Sequence, residues 1–148
     1  MTQETVAVAA DHAGFPLKET LKGDLAARGF NILDLGTDGP ASVDYPDFAN
    51  RMADALKRGA VARGVVVCGT GIGISIAANR HKHVRAALCS DATAARLARQ
   101  HNDANVLALG ARLIGEEVAR ECLKVFLETP FEGGRHAARV GKLSNPPG

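Results

Sequence analysis

Five short apolar runs, each followed by a segment of helical spacing, constrain this chain more than any other feature. The runs are Val6–Ala10, Asn31–Leu35, Gly64–Cys68, Arg85–Cys89 and Val106–Gly110. Strands that are apolar throughout must be covered on both faces, and strands joined through helices pair in parallel. The expected fold is therefore α/β, a parallel sheet with helices on both sides and right-handed crossovers. Leu17, Leu21 and Leu25 stripe a helix expected from Phe15 to Arg28, stopped by Gly29. Phe48, Met52 and Leu56 stripe a second, entered at Pro46 and ended by Gly59. A glycine-rich turn at Gly69–Gly73 opens a third, reaching about Asn79. Ser90 is read as the N-cap of a fourth, running to about Gln100, and Glu116–Glu128 is the fifth. The tail from Pro130 is polar with weak periodicity, and residues 141–148 are expected to be flexible.

At 148 residues the chain is expected to form one domain spanning 1–148. With 16 glycines, 26 alanines, no tryptophan and one tyrosine, helices can pack closely on the sheet, but one chain has few bulky side chains to wall off a deep pocket. A net charge of +2, without a basic run or aromatic platforms, argues against nucleic acid. No apolar stretch approaches the roughly 20 residues that span a bilayer, and Met1–Thr5 begins no secretory leader. Cys68, Cys89 and Cys122 are too widely spaced for a disulfide framework or a zinc pattern. A reduced, cytoplasmic chain without membrane contact is the expectation.

Ligands of parallel sheets bind beyond the carboxyl ends of the strands. The residues expected there are Asp11 and His12, Asp44 and Tyr45, Cys68–Gly73, Ser90 and Asp91, and Arg112. The strongest local signal is Cys68-Gly69-Thr70-Gly71-Ile72-Gly73-Ile74-Ser75. Amides of a glycine turn at a helix start can converge on an anion, and a cysteine at that place is expected to act as a thiolate. The segment can thus supply a base and an anion hole. It lacks the third glycine of a dinucleotide fingerprint, the Gly-Lys of a phosphate-binding loop and the arginine of a cysteine phosphatase. The glycines would also serve a plain strand–helix turn.

Two further groups stand out. Arg135 and Arg139, four apart after Gly133-Gly134, would share a helical face able to hold a phosphate, or belong to a solvated basic tail. His101-Asn102 could move a proton and stabilise an alkoxide, or simply end a helix. His81 and His83 are read as surface residues, Cys89 and Cys122 as core packing.

With these residues in view, the sequence resembles the type B ribose-5-phosphate isomerases, a family grouped with allose-6-phosphate and galactose-6-phosphate isomerases. The resemblance rests on AADHAGFPLK, DLGT, DYPDFA, VVVCGTGIGISIAANR, RAALCSDATAARLARQHNDANVLALGARLIG and FEGGRHAARV, in order from Val6 to Val140. It implies a Rossmann-like three-layer α/β/α sandwich with a five-stranded parallel sheet, and an aldose–ketose isomerisation without metal or organic cofactor. By the same resemblance Cys68 would move the proton between C2 and C1, and Thr70 with His101 would assist ring opening. The amides of Gly69, Gly71, Gly73 and Ser75, with Asn102, would stabilise the enediolate. Asp11 would meet sugar hydroxyls and Tyr45 line the pocket. His12, Arg112, Arg135, His136 and Arg139 would hold the phosphate. A subgroup with glutamate in the glycine loop is excluded, because Ile74 occupies that position and Cys68 is present.

His101 creates a geometric difficulty for a site within one chain. It ends a helix of about 16 Å, at 1.5 Å per residue, that begins on the Cys68 edge of the sheet. A homodimer with a shared site is therefore expected, His101 and Asn102 of one subunit completing the Cys68 loop of the other. A tetramer of such dimers is equally compatible. A six-carbon sugar phosphate is the alternative substrate, and a non-catalytic sugar-phosphate-binding module the alternative function.

Overall fold

The computed structural model describes residues 3–148. Its elements run β1 (Thr5–Ala10), α1 (Phe15–Ala27), β2 (Asn31–Asp34), α2 (Tyr45–Lys57), β3 (Gly64–Cys68), α3 (Ile72–Ala78), β4 (Ala86–Leu88), α4 (Ala92–Asn102), β5 (Val106–Gly110), α5 (Glu116–Glu128) and α6 (Arg135–Ser144). The five strands form one sheet in the order β2-β1-β3-β5-β4, every pairing parallel. β3 and β5 are buried along their whole length, as continuous Val/Leu runs require when both faces are covered.

Strand order decides which face each helix covers. The chain steps one way from β1 to β2, reverses to reach β3 and β4, then reverses again into β5. With crossovers of one hand, each reversal sends the helix to the opposite face. Leu21 and Leu25 of α1, Ala95 and Ala98 of α4, and Leu123 and Phe126 of α5 accordingly share one core with Val6, Val65 and Leu107. Phe48 and Met52 of α2 and Ile74 and Ala78 of α3 share the other with Ala7, Val66 and Ala108. The first reversal parts the chain between β1 and β3. In a parallel sheet that is where a crevice opens beyond the strand ends.

Three expectations need correction. The N-cap of α4 is Asp91, not Ser90: its carboxylate accepts the Ala94 N–H at 2.7 Å. A carboxylate accepts a helix amide more strongly than a hydroxyl, and Asp91 adopts the extended backbone of a cap. Residues 141–144 are not a loose tail but the last turn of α6, an amphipathic helix that packs on α4 and buries His136. His83 is half-buried, its Nε2 within 2.7 Å of the Ala53 carbonyl, while His81 Nε2 lies 2.8 Å from Asn50 Oδ1. These two rings tie the segment after α3 to α2.

One buried charge went unread. Lys18, only 1% exposed, inserts its ammonium between α1 and β2 and bonds both oxygens of Asp34 at 2.7 and 2.9 Å. Asp34 also accepts from Lys22 at 2.8 Å and from the Gly36 N–H at 2.9 Å. Burial raises the Asp34 pKa, but the hydrogen bonds from Lys18, Lys22 and Gly36 outweigh it and hold the carboxyl below its ordinary value.

Candidate active site

At the crevice between β1 and β3 lies an open cleft of about 340 Å³, lined by Asp11, Tyr45, Cys68, Gly69, Thr70, Ile72, Gly73 and Arg112. Each comes from the carboxyl end of a strand or the start of the next helix. Asp11 follows β1, and its buried carboxylate accepts the Gly14 N–H at 2.9 Å, fixing the entry to α1. Tyr45 opens α2 and is half-exposed. Cys68 ends β3, 4% exposed, and its Sγ accepts the Gly71 N–H at 3.2 Å. Arg112 follows β5 and packs its guanidinium beside Gly69.

The glycines of the turn have separate reasons. Gly71 has φ +76°, a left-handed conformation that strains any residue with a Cβ. At Gly73 a Cβ would meet the Tyr45 ring at 2.6 Å, so only glycine lets tyrosine lie over the turn. The turn's amides do not all converge on one centre. Those of Gly71 and Ile72 bond Cys68 Sγ and Thr70 Oγ1, and that of Ser75 bonds the Gly71 carbonyl. Ser75 also donates its hydroxyl to the Ile72 carbonyl at 2.8 Å and stays out of the cleft wall. His12 adjoins Asp11, but its Nδ1 accepts the Val43 N–H at 3.1 Å, orienting the ring and supporting the loop before α2.

The remaining candidates gather elsewhere. Register pairs Cys68 with Gly110 at one end of β5, whereas the end of α4 leads into Val106 at the other, opposite Gly64. There the His101 ring stacks on His136 with centroids 4.4 Å apart and planes at 13°. Arg135 and Arg139 share α6 with His136, and both are exposed. Asn102 is exposed and lines a separate groove with Asn79, Arg85 and Leu143. Glu132, absent from the sequence reading, places Oε1 3.6 Å from His136 Nε2 and 4.0 Å from His101 Nε2. Its backbone N–H bonds the Gln100 carbonyl at 3.1 Å, pinning the tail to α4. Only the Glu132/His136 spacing of four residues hinted at it.

The other two cysteines belong to the core. Burial pushes the Cys89 thiol up to about 12, aided by Cys122 and Asp91. Burial likewise pushes Cys122 up to about 11. Both stay protonated at neutral pH, leaving Cys68 as the cysteine at a cleft.

A parallel α/β sheet with a cysteine, an aspartate and a glycine turn at its switch-point crevice defines a small-molecule enzyme of the Rossmann-like type. Residues 6–143 match the Ribose/Galactose Isomerase family, and the chain belongs to it. It is similar to ribose-5-phosphate isomerase B of Escherichia coli K12, with 45% identity over 94% of this chain and 93% of that one. It is 43% identical to the D-erythrulose-4-phosphate isomerase of Pectobacterium atrosepticum, over 94% and 92% of the two chains. The crystal structure of a ribose 5-phosphate isomerase from Thermotoga maritima superposes with a TM-score of 0.95 at 46% identity, covering 98% of this chain and all of that one. The chain is thus a sugar-phosphate isomerase of the aldose–ketose class. No helix of the described residues is long and apolar enough to cross a membrane.

Proposed function

We propose that this protein interconverts ribose 5-phosphate and ribulose 5-phosphate through ring opening and a cis-enediolate. The observation that carries the reading is Cys68 in the crevice, with the Gly71 N–H donating to its sulfur and Asp11, Tyr45, Thr70 and Arg112 lining the same cleft. After ring opening, the Cys68 thiolate takes the C2 proton. The freed electron pair forms the C1–C2 double bond, and negative charge moves to O1. The proton on O2 passes to O1, the O2 carbonyl forms, and Cys68 returns its proton to C1. Proton transfer next to a carbonyl needs such a base and donors aimed at the oxyanion. Gly69 and Gly73 line the cleft beside Thr70, and their amides would serve as those donors, while Asp11 and Tyr45 would meet the sugar. Arg112 supplies positive charge for the phosphate.

In this reading the active unit is a homodimer. Thr70 lies on the Cys68 edge and His101 on the other, so ring opening by this pair needs His101, with Asn102, from a second copy. His12, His136, Arg135 and Arg139 hold the phosphate from one or both subunits. Ile72, Ile76 and Leu88 stand 48%, 54% and 39% exposed, and a second copy would cover them. Mixing inactive Cys68→Ala and His101→Ala subunits is expected to restore activity, because a mixed dimer regains one intact site. No recovery after subunit exchange confirmed by native mass spectrometry would refute the shared site.

The relative acting on erythrulose 4-phosphate supports testing shorter substrates beside pentoses and hexoses. Among four-, five- and six-carbon aldose and ketose phosphates, ribose 5-phosphate is expected to give the highest kcat/KM. A clear preference for a tetrose or for allose 6-phosphate would reassign the substrate. Turnover of none would point to a binding module.

A further inference from the structure

We propose that His101, Glu132 and His136 form a binding site for a zinc-class divalent ion, and that an ion held there inhibits the enzyme. The three side chains offer two imidazole nitrogens and a carboxylate oxygen, all within 4.8 Å of one another. This N,N,O set suits zinc, nickel or copper better than magnesium or calcium, which take oxygen ligands. A tetrahedral zinc with bonds of about 2.0–2.1 Å holds its ligand atoms about 3.3 Å apart. The carboxylate oxygen lies 3.6 and 4.0 Å from the two Nε2 atoms, but the imidazoles are stacked with planes at 13°, so the more exposed His101 ring has to turn out of the stack to aim its lone pair at a shared ion. The fourth position stays open to water or an anion.

The site is also held in place. His136 is 6% exposed, and the Glu132 N–H is fixed to the end of α4. Arg135 and Arg139 oppose a second positive charge and keep the site weaker than a structural zinc centre. The chain's other histidine pair is a poorer choice, since the Nε2 atoms of His81 and His83 already face Asn50 and Ala53.

Inhibition rests on the role proposed above for His101; the ion site itself does not. A metal on His101 Nε2 occupies the atom that would move a proton, and on His136 it occupies a ring that would hold the phosphate.

Calorimetric titration with Zn²⁺ in a non-coordinating buffer is expected to give one ion per chain, in wild type and in Cys68→Ala alike. Affinity should fall at least about tenfold in Glu132→Gln and in His136→Ala. Zn²⁺ should inhibit isomerisation, EDTA should restore it, and Glu132→Gln should turn over normally at ion concentrations that stop the wild type. No binding by the wild type, or wild-type affinity in both variants, overturns the site. Loss of binding in Cys68→Ala assigns the ion to the thiol and overturns it too. Binding with the expected variant pattern by a chain that isomerises no sugar phosphate supports the ion site and refutes the functional reading.

Discussion

Cys68→Ala is expected to lower kcat for ribose 5-phosphate by about 10²–10⁴-fold, the usual contribution of a general acid–base group. KM should change little, because the sulfur acts on the reacting carbons and the phosphate and hydroxyls supply most of the binding. The variant removes one atom from the end of β3 and leaves the Gly71 N–H without its sulfur acceptor. That cost is about 1 kcal/mol, or a Tm decrease of about 2–4 °C for a chain of this size. Steady-state kinetics beside thermal melting therefore separate chemistry from folding. A kcat within tenfold of wild type, in a folded variant, would exclude Cys68 as the base. A large rise in KM with kcat kept would assign it to binding.

The second large effect concerns the fold. Asp34→Asn is expected to destabilise the protein by about 3 kcal/mol, because it removes the main partner of a fully buried ammonium. The Tm should fall by about 6–12 °C. Lys18→Met should cost much less, about 1 kcal/mol, since it fills the same space without a charge and leaves Asp34 paired with Lys22. If the two variants rank the other way, the ion pair is not what makes Lys18 tolerable in the core. The pair also has a pH signature. The folded-state pKa of Asp34 is below its ordinary value, so its contribution is fully present above the ordinary carboxylate range. It is lost as pH falls through the lowered folded value. Acid melts should therefore show a steeper loss in wild type than in Asp34→Asn.

Lys18 illustrates what one-dimensional periodicity conceals. It sits on the same helix as Leu21 and Leu25, where a lysine reads as a solvated residue snorkelling from an apolar face. Its burial depends on Asp34, sixteen residues away on β2. The α4 cap failed for a more local reason: Ser90 and Asp91 are both good caps, and backbone geometry chooses between them. Beyond the helical turn at Arg135–Arg139, the extent of α6 to Ser144 was not legible, because the segment is short and charged. Its one buried side chain, His136, finds its partner in His101, which is distant in sequence.

The central strands were legible because β3 and β5 are apolar on both sides, and β3, β5 and α5 have the ends that their sequences suggest. The cleft was legible because strand-end residues of a parallel sheet must share an edge. Asp11, Tyr45, Cys68, Thr70 and Arg112 do line one crevice. That the glycine-turn amides do not share one target was not legible, since the side chains of Cys68 and Thr70 within the turn take two of them.

The sequence by itself determined a parallel α/β chain with a cysteine–glycine turn at a strand end, because apolar runs and helical stripes are local properties that only such a sheet satisfies. Its scarcity of bulky residues also foretold a shallow cleft. Tertiary structure alone decided the strand order, and with it the crevice between β1 and β3. It also decided that Glu132 and His136 meet His101. Both depend on where the crossover helices return the chain, and that is set by packing between residues far apart in sequence.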